Sequence, residues 1–471
     1  MNFSDLHSEL RRLILSQLDR ASLLSVIQTS RFLRHEGEEL LYSVVTFRSD
    51  KNRESGRAKL FIRSIIRNPT LGQLVNDLTL PMFFDDWFYP SIHGSDQQKN
   101  PSALVRTVWR GMPNLKSLDL KLPRSGIQYF LSQTPTFKLD RLKLDALVGP
   151  APLSEAQILH ILQSQPQLRH LSLPSGPLPT SSSSVTTSRE TELGEAQVQS
   201  DVATNAFQNV CRNIKILEGR DWTVFTFLPG RKVDHLSWTA KDESPFRPST
   251  PQQDIFTPTL CDAYSRLQNL SLQHNVSSLS KMAPHLTSLT GLVLHIDEDP
   301  TRMFKSRTLQ KAIEGIKDLQ TLVLVIHATM TPRLRTFPNG MMPGMAGFGV
   351  QFEDHGWIKG SANDGTKGGP GASFLPATAA SFFEGGKSLK TVTALYVHDQ
   401  LVGEAYESIV FHCTSYQRGF EGPPQEMKFP QNTAPLREIP PSFFSKLNPG
   451  LTTSFLMVYG LHIRIIGNTT L

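Results

Sequence analysis

The chain has 471 residues, of which 39% are hydrophobic and 19% charged, and 48 Lys and Arg stand against 42 Asp and Glu for a net charge of +6. That length suits two or three ordinary domains, or one repeat array in which each unit packs only on its neighbours. The mild basic excess is not gathered into one run, so it favours acidic partners without indicating nucleic acid.

The three cysteines, Cys211, Cys261 and Cys413, are dispersed and odd in number, which argues against a disulfide framework or a zinc cluster. The opening residues, Met1-Asn2-Phe3-Ser4-Asp5, show no basic stretch followed by an apolar run. The apolar stretch from Phe455 to Ile466 is short and is broken by His462 and Arg464. No secretory or membrane segment is expected, and the expected compartment is the cytoplasm or nucleus.

In the first 47 residues, Leu6, Leu10, Ile14 and Leu18 recur every four positions and predict an amphipathic helix. Asp19 is placed to start a second helix carrying Leu23, Leu24 and Ile27, and Ser30 to cap a third carrying Leu33, Leu40 and Leu41. Three short helices with so little apolar surface need further packing, from the next element or from a partner. The run Leu6, Glu9, Leu10, Ile14, Leu15, Leu18, Asp19, Ser22, Leu23, Leu24, then Thr29-Ser30-Arg31, Leu33, Arg34, then Leu40-Leu41-Tyr42, resembles the F-box. Where that family usually has Leu-Pro, this chain has Leu6-His7. The resemblance implies docking to a Skp-type adaptor, and through it to a cullin–RING ubiquitin ligase. It implies that Leu6, Leu10, Ile14, Leu18, Leu23, Leu24 and Ile27 serve the adaptor contact. The other reading is that these helices cap one end of a repeat array.

From residue 48 to 471 the pattern L-x-x-L-x-L recurs, cleanly at Leu115/Leu118/Leu120, Leu139/Leu142/Leu144, Leu168/Leu171/Leu173, Leu267/Leu270/Leu272, Leu289/Leu292/Leu294 and Leu319/Leu322/Leu324. It is looser around Leu78, at Ile214/Leu217 and at Val233/Leu236/Trp238, and Leu389 to Val397 supplies a last copy. Pro113-Asn114-Leu115 and Pro166-Gln167-Leu168 punctuate the passage from helix to strand. Helical pieces lie between, as at Ala156, Ile158, Leu159, Ile161 and Leu162, and at Leu309, Ala312, Ile313 and Ile316. The fold class read from this is α/β. A three-helix segment precedes an irregular leucine-rich-repeat solenoid with a parallel sheet and outer helices. An ordinary α/β domain with leucine-rich strands is the competing reading. Asn275 is the lone asparagine at the laddering position. Insertions are expected at 174–200 (Ser/Thr/Pro-rich), 241–258 (Pro-rich) and 331–371 (rich in Gly, Met and Pro).

No catalytic constellation emerges. His35-Glu36-Gly37-Glu38-Glu39 lacks the second histidine of a zinc helix, Gly347-Phe348-Gly349 lacks a third glycine, and Gly365 to Gly369 is not a phosphate loop. No enzyme activity, cofactor, metal, nucleic acid or membrane is therefore expected. The expected function is recognition of a protein client, either within a cullin–RING ligase or as a scaffold without ligase association. The residue between the last two leucines of each repeat should face the concave side. This selects Asp119, Lys143, Ser172, Ser237, Ser271, Val293 and Val323, with Trp238 beside them and His170, His235, His274 and His295 flanking. A one-residue slip of register would invert the assignment.

Overall fold

The computed structural model describes residues 3–47, 54–80, 107–122, 137–146, 154–173, 206–239, 256–273, 276–296, 307–327, 376–402, 405–418 and 425–427. The chain opens with a 3-10 turn, Phe3–Asp5, and three helices, α1 (Ser8–Ser16), α2 (Arg20–Thr29) and α3 (Arg31–Ser43). Both expected caps form. The Asp19 side chain accepts the Ser22 N–H at 2.7 Å, and Ser30 Oγ accepts the Leu33 N–H at 3.4 Å, each satisfying a donor the helix start leaves open. Arg11 grips Glu36 through Nε and Nη2, the latter at 2.7 Å, and Arg12 donates to Glu39 at 2.5 Å. These pairs lock α1 onto α3. Helix α3 then passes into strand β1 (Val44–Thr46) with no residue between.

Among the described residues, thirteen strands form one sheet whose spatial order is the chain order. After β1 come β2 (Asp77–Leu80), β3 (Ser117–Leu122), β4 (Arg141–Ala146), β5 (His170–Leu173) and β6 (Ile216–Gly219). They are followed by β7 (His235–Thr239), β8 (Asn269–Gln273), β9 (Gly291–Ile296), β10 (Thr321–His327) and β11 (Thr391–Val402). Every pairing from β1 to β11 is parallel. The described helices between these strands include α4 (Glu54–Arg67), α5 (Pro69–Gln73), α6 (Glu155–Gln163), α7 (Asp221–Phe227), α8 (Pro258–Tyr264), α9 (Val276–Met282), α10 (Arg307–Glu314) and α11 (Pro376–Gly385). The architecture is a mixed α/β, leucine-rich-repeat-like solenoid on an open, mostly parallel sheet.

A backbone device repeats from unit to unit. The carbonyl just before each strand from β2 to β10 accepts two N–H groups from the next unit. Lys116 O takes those of Asp140 and Arg141, Asp140 O those of Arg169 and His170, and Gln320 O those of Lys390 and Thr391. This ladder satisfies the turn backbone; Asn275 itself lies outside the described residues. Buried Gln165 adds a side-chain rung, accepting the Leu139 N–H at 2.7 Å and donating to Phe137 O at 3.4 Å.

The repeated leucines explain the sheet. Residues two apart on a strand share a face. Leu78, Leu118, Leu142, Leu171, Leu217 and Leu236 are register partners in one row, and all are buried in the core. Ile158, Phe227, Leu279, Ile313 and Phe382 of the helices complete that core from one side. Each buried leucine contributes about 1.5–3 kcal/mol by leaving water. The gain recurs in every unit, so irregular spacing between units is tolerated.

Two expectations need correction here. Pro258 does not close an insertion. It stands at the first turn of α8, where its missing N–H costs nothing and its fixed φ suits the helix. Of the other expected insertions, 174–200 and 331–371 lie outside the described residues, as does the second up to 255. The sheet is also not parallel to its end. Strand β11 pairs antiparallel with β12 (Ala405–Gln417), which pairs antiparallel with β13 (Gln425–Met427).

Candidate functional site

The strand registers put Asp119, Lys143, Ser172, Glu218, Ser237, Ser271, Val293 and Val323 in one continuous row. The row lies between the two leucine rows and therefore on the opposite face from the helices. Val293 and Val323 are buried yet do not belong to the helix-side core. Every concave-face residue expected from the sequence thus falls on this second face except Trp238. That residue is a register partner of Leu272, is packed in the helix-side core, and donates its Nε1–H to Asp221 at 2.8 Å. Its ring fills the position that a leucine holds in other units.

The sequence reading missed Glu218, the chemical centre of this face. Glu218 Oε1 lies 3.7 Å from Lys143 Nζ, and Oε2 lies 4.0 Å from His170 Nε2. Ser172 sits between them as register partner of both Lys143 and Glu218. Arg141 is paired in register with His170, and His235 stands one strand beyond Ile216 in that same row. His170, Ser172 and Glu218 are almost fully withdrawn from water.

Burial sets the protonation states. It lowers the His170 and His235 pKa values, so both imidazoles are neutral at neutral pH. Burial works against the charged form of Glu218, but His170, Lys143 and Ser172 outweigh it and hold the carboxyl below its usual range. The cluster is polar but incompletely paired. Arg141 Nε, His170 Nε2, Ser172 Oγ, Glu218 Oε2 and His235 Nδ1 are buried without a hydrogen-bond partner. Leaving such a group unmet costs about 1–3 kcal/mol. These groups lie on four adjacent strands, β4 to β7, which makes this patch the candidate site on the second face. His274 lies outside the described residues, and His295 stands on β9, away from the cluster.

A second candidate surface lies at the N-terminus. Among the described residues, five of the seven exposed large apolar side chains are on α1, α2 and α3: Leu10, Leu13, Ile14, Leu24 and Phe32. Leu10, Ile14 and Leu24 were expected there from the sequence, whereas Leu13 and Phe32 were not. Leu6, Leu18 and Ile27 are half-buried. Leu23 is buried, which corrects its assignment to the adaptor contact. A Cβ added at Gly37 of α3 would lie 2.2 Å from Ile27 Cγ2 and 3.5 Å from Leu23 Cδ1. Leu23 and Ile27 therefore belong to the seam between α2 and α3. The Arg11 guanidinium stacks over the Phe32 ring at 4.7 Å and keeps that ring on the surface.

Other reactive groups have structural explanations. Burial pushes the Cys211 thiol up to about 12, and its S–H faces the carbonyls of Leu162 and Gln165. Among the described residues no group of three or more His, Cys, Asp or Glu is placed to hold a metal ion. Among them no helix is long and apolar enough to cross a membrane.

No family model matches the chain, and no curated protein matches it. Among solved structures, it is similar to a chain in the crystal structure of a TLR13–ssRNA13 complex, with 13% sequence identity and a TM-score of 0.24. The match covers 47% of this chain and 27% of that one.

Proposed function

We propose that this chain is a non-catalytic recognition subunit. Its N-terminal helices dock on a Skp-type adaptor of a cullin–RING ubiquitin ligase, and the second face of its repeat sheet receives a protein client. The observation that carries the reading is the exposed apolar cluster on α1–α3, with Leu10 at 51%, Leu13 at 59% and Phe32 at 53% exposure. Exposed large apolar groups gathered in one place mark a partner surface. The resemblance of Leu6 to Tyr42 to the F-box names the partner. The direct passage of α3 into β1 supports the same reading, since it fixes the docking helices to the sheet.

A second reading, a repeat scaffold without ligase association, draws on His7. It stands where the family usually has proline, although its φ of −58° is the angle proline would impose. A pull-down of the full chain with the Skp-type adaptor decides between them. Wild type should be retained and Leu10→Asp plus Ile14→Asp should not. Both side chains are exposed, so the variant should keep the wild-type melting temperature. Failure of the wild type to bind, or unchanged binding by the folded variant, would overturn the ligase reading.

A further inference from the structure

We infer that the turns leading into β3 to β7 form a basic edge that binds an extended, acidic segment of a protein partner, with a carboxylate at every third residue. This edge is separate from the docking helices and from the second sheet face, and the inference rests on neither.

Topology gathers the charge. Ser117, Arg141, His170, Ile216 and His235 are register partners. The residues just before them, Lys116, Asp140, Arg169, Lys215 and Asp234, therefore form a row along the edge where the parallel strands begin. Lys138, Arg212 and Lys232 stand in the same turns, and all six cations are exposed. Six cations against two carboxylates leave a net charge of +4 on this edge, most of the +6 of the whole chain. The edge is about 20 Å long, four strand spacings. These cations are dispersed in sequence, and only the parallel stacking of units brings them together. The row is bounded by uncharged Asn76 and Gln268.

Their contacts separate structural charges from unassigned ones. Outer helices end on this edge, where a cation can serve the last helix carbonyls. Lys138 does so, donating to Ser164 O just past α6 at 3.1 Å. Lys215 pairs with Asp234 at 3.1 Å, and Arg212 donates to Asn209. Among the described residues, Lys116, Arg169 and Lys232 have no hydrogen-bond or ion-pair partner.

Those three stand before β3, β5 and β7, on every second strand and so about 10 Å apart. A peptide in the polyproline II conformation returns the same side every three residues, about 9 Å, so acidic residues at that period meet the three cations in turn. The residues between them are best uncharged, because Asp140 lies between Lys116 and Arg169 in the row. A phosphodiester strand carries a charge at every nucleotide and cannot spare Asp140. These turns also expose no aromatic ring on which bases could stack, Phe137 being buried. An acidic peptide fits better than a nucleic acid.

The test measures fluorescence anisotropy of labelled probes with the full chain at low ionic strength. The spaced heptapeptide Glu-Ser-Ser-Glu-Ser-Ser-Glu should bind about tenfold more tightly than the same peptide with Gln for Glu, the yield of three exposed ion pairs. It should also bind more tightly than a heptapeptide with its three Glu clustered at one end, and added salt should weaken it. Lys116→Glu plus Arg169→Glu plus Lys232→Glu should remove the preference without lowering the melting temperature, since these side chains have no partner to lose. Lys317→Glu plus Lys387→Glu, on exposed turns before β10 and β11, should bind as wild type. Wild type that binds no probe, or binds the Gln or clustered peptide as tightly as the spaced one, overturns the inference. So does tighter binding of a thymidine heptanucleotide, or an equal loss in the distant variant, which would show attraction by net charge alone. The four probes on wild type decide by themselves, so a triple variant that fails to fold does not rescue the proposal.

Discussion

Replacing Arg231 by methionine should destabilise the protein by about 3 kcal/mol. The guanidinium is buried between α7 and the turn preceding β6. Nη1 donates to Thr226 O at 3.2 Å and Phe227 O at 2.9 Å, and Nη2 to Phe207 O at 2.5 Å and Val210 O at 3.0 Å. Thr226 and Phe227 close α7, whose last carbonyls have no partner within the helix. Hydrogen bonds to a charged donor contribute about 1.5–3 kcal/mol each. Against this stands the cost of burying the charge, visible as an Arg231 pKa pushed down to about 10. Methionine relieves that cost and fills the space beside Phe227, so the net loss is well below the sum of four bonds. Arg231→Lys should recover less than half of it, because an ammonium lacks the planar fork. Urea unfolding followed by far-UV circular dichroism reads the effect as a lower midpoint at constant slope. A loss under about 1 kcal/mol for the methionine variant would refute the claim that this one side chain ties α7 to the turn before β6.

Gly37→Ala places a methyl group inside contact distance of Ile27. Overpacking of about 1–3 kcal/mol should exceed the roughly 1 kcal/mol of helix propensity gained, lowering the melting temperature and, on the proposed reading, adaptor binding. Ile27→Ala in the same chain should restore part of both, and a rise in melting temperature of the single variant would contradict the packing shown. The second-face cluster predicts acid sensitivity. The folded pKa values of His170 and His235 lie below the ordinary 6.5, so the unfolded chain takes up protons first as pH falls through that value, and stability drops. The depressed Glu218 carboxyl adds a further loss below its ordinary 4.5. Urea midpoints should fall between pH 7.5 and 5.5 and should fall less in His170→Asn; a flat wild-type profile would count against the burial of these imidazoles.

How much of this was legible in the sequence depended on whether a local rule was obeyed. Where L-x-x-L-x-L was intact, the register of the strand and the face of its middle residue both followed, as for Lys143 and Ser172. Glu218 escaped because its unit ends in Gly219 instead of leucine. The structure shows why: a Cβ there would lie 2.6 Å from the Thr223 side chain, so α7 packs directly on the strand. At Trp238 the pattern was right, since Val233/Leu236/Trp238 gives the indole a leucine position, and setting it beside the concave row was the mistake: the ring lies in the core while its N–H reaches Asp221. At the N-terminus, the four-residue period located the helices and their caps. It could not separate the exposed residues from those in the α2–α3 seam, because that distinction depends on how the three helices pack. Leu23 and Leu24 are adjacent in sequence, yet one is buried and the other exposed. The antiparallel close of the sheet had no signal in a leucine pattern, since β12 carries none.

The junction at Ser43 and Val44 gives the two proposed surfaces a common frame. Helix α3 has no linker before β1, Ser43 O accepts the Asn76 N–H, and from Asn76 onward each unit is bonded to the next by the paired carbonyl contacts. Motion of α3 is therefore passed to the sheet instead of being absorbed in a linker. Parallel strands are spaced about 4.8 Å apart, so β4 to β7 lie about 15–30 Å along the sheet from β1. On the proposed reading, a client held by Glu218 and its neighbours sits at a set distance from the adaptor. That distance would change only by inserting or deleting whole strands. A linker between Ser43 and Val44 should then leave both adaptor binding and client binding intact while abolishing transfer of ubiquitin to a bound client. Transfer that survives a flexible ten-residue linker would show that the rigid junction serves stability alone.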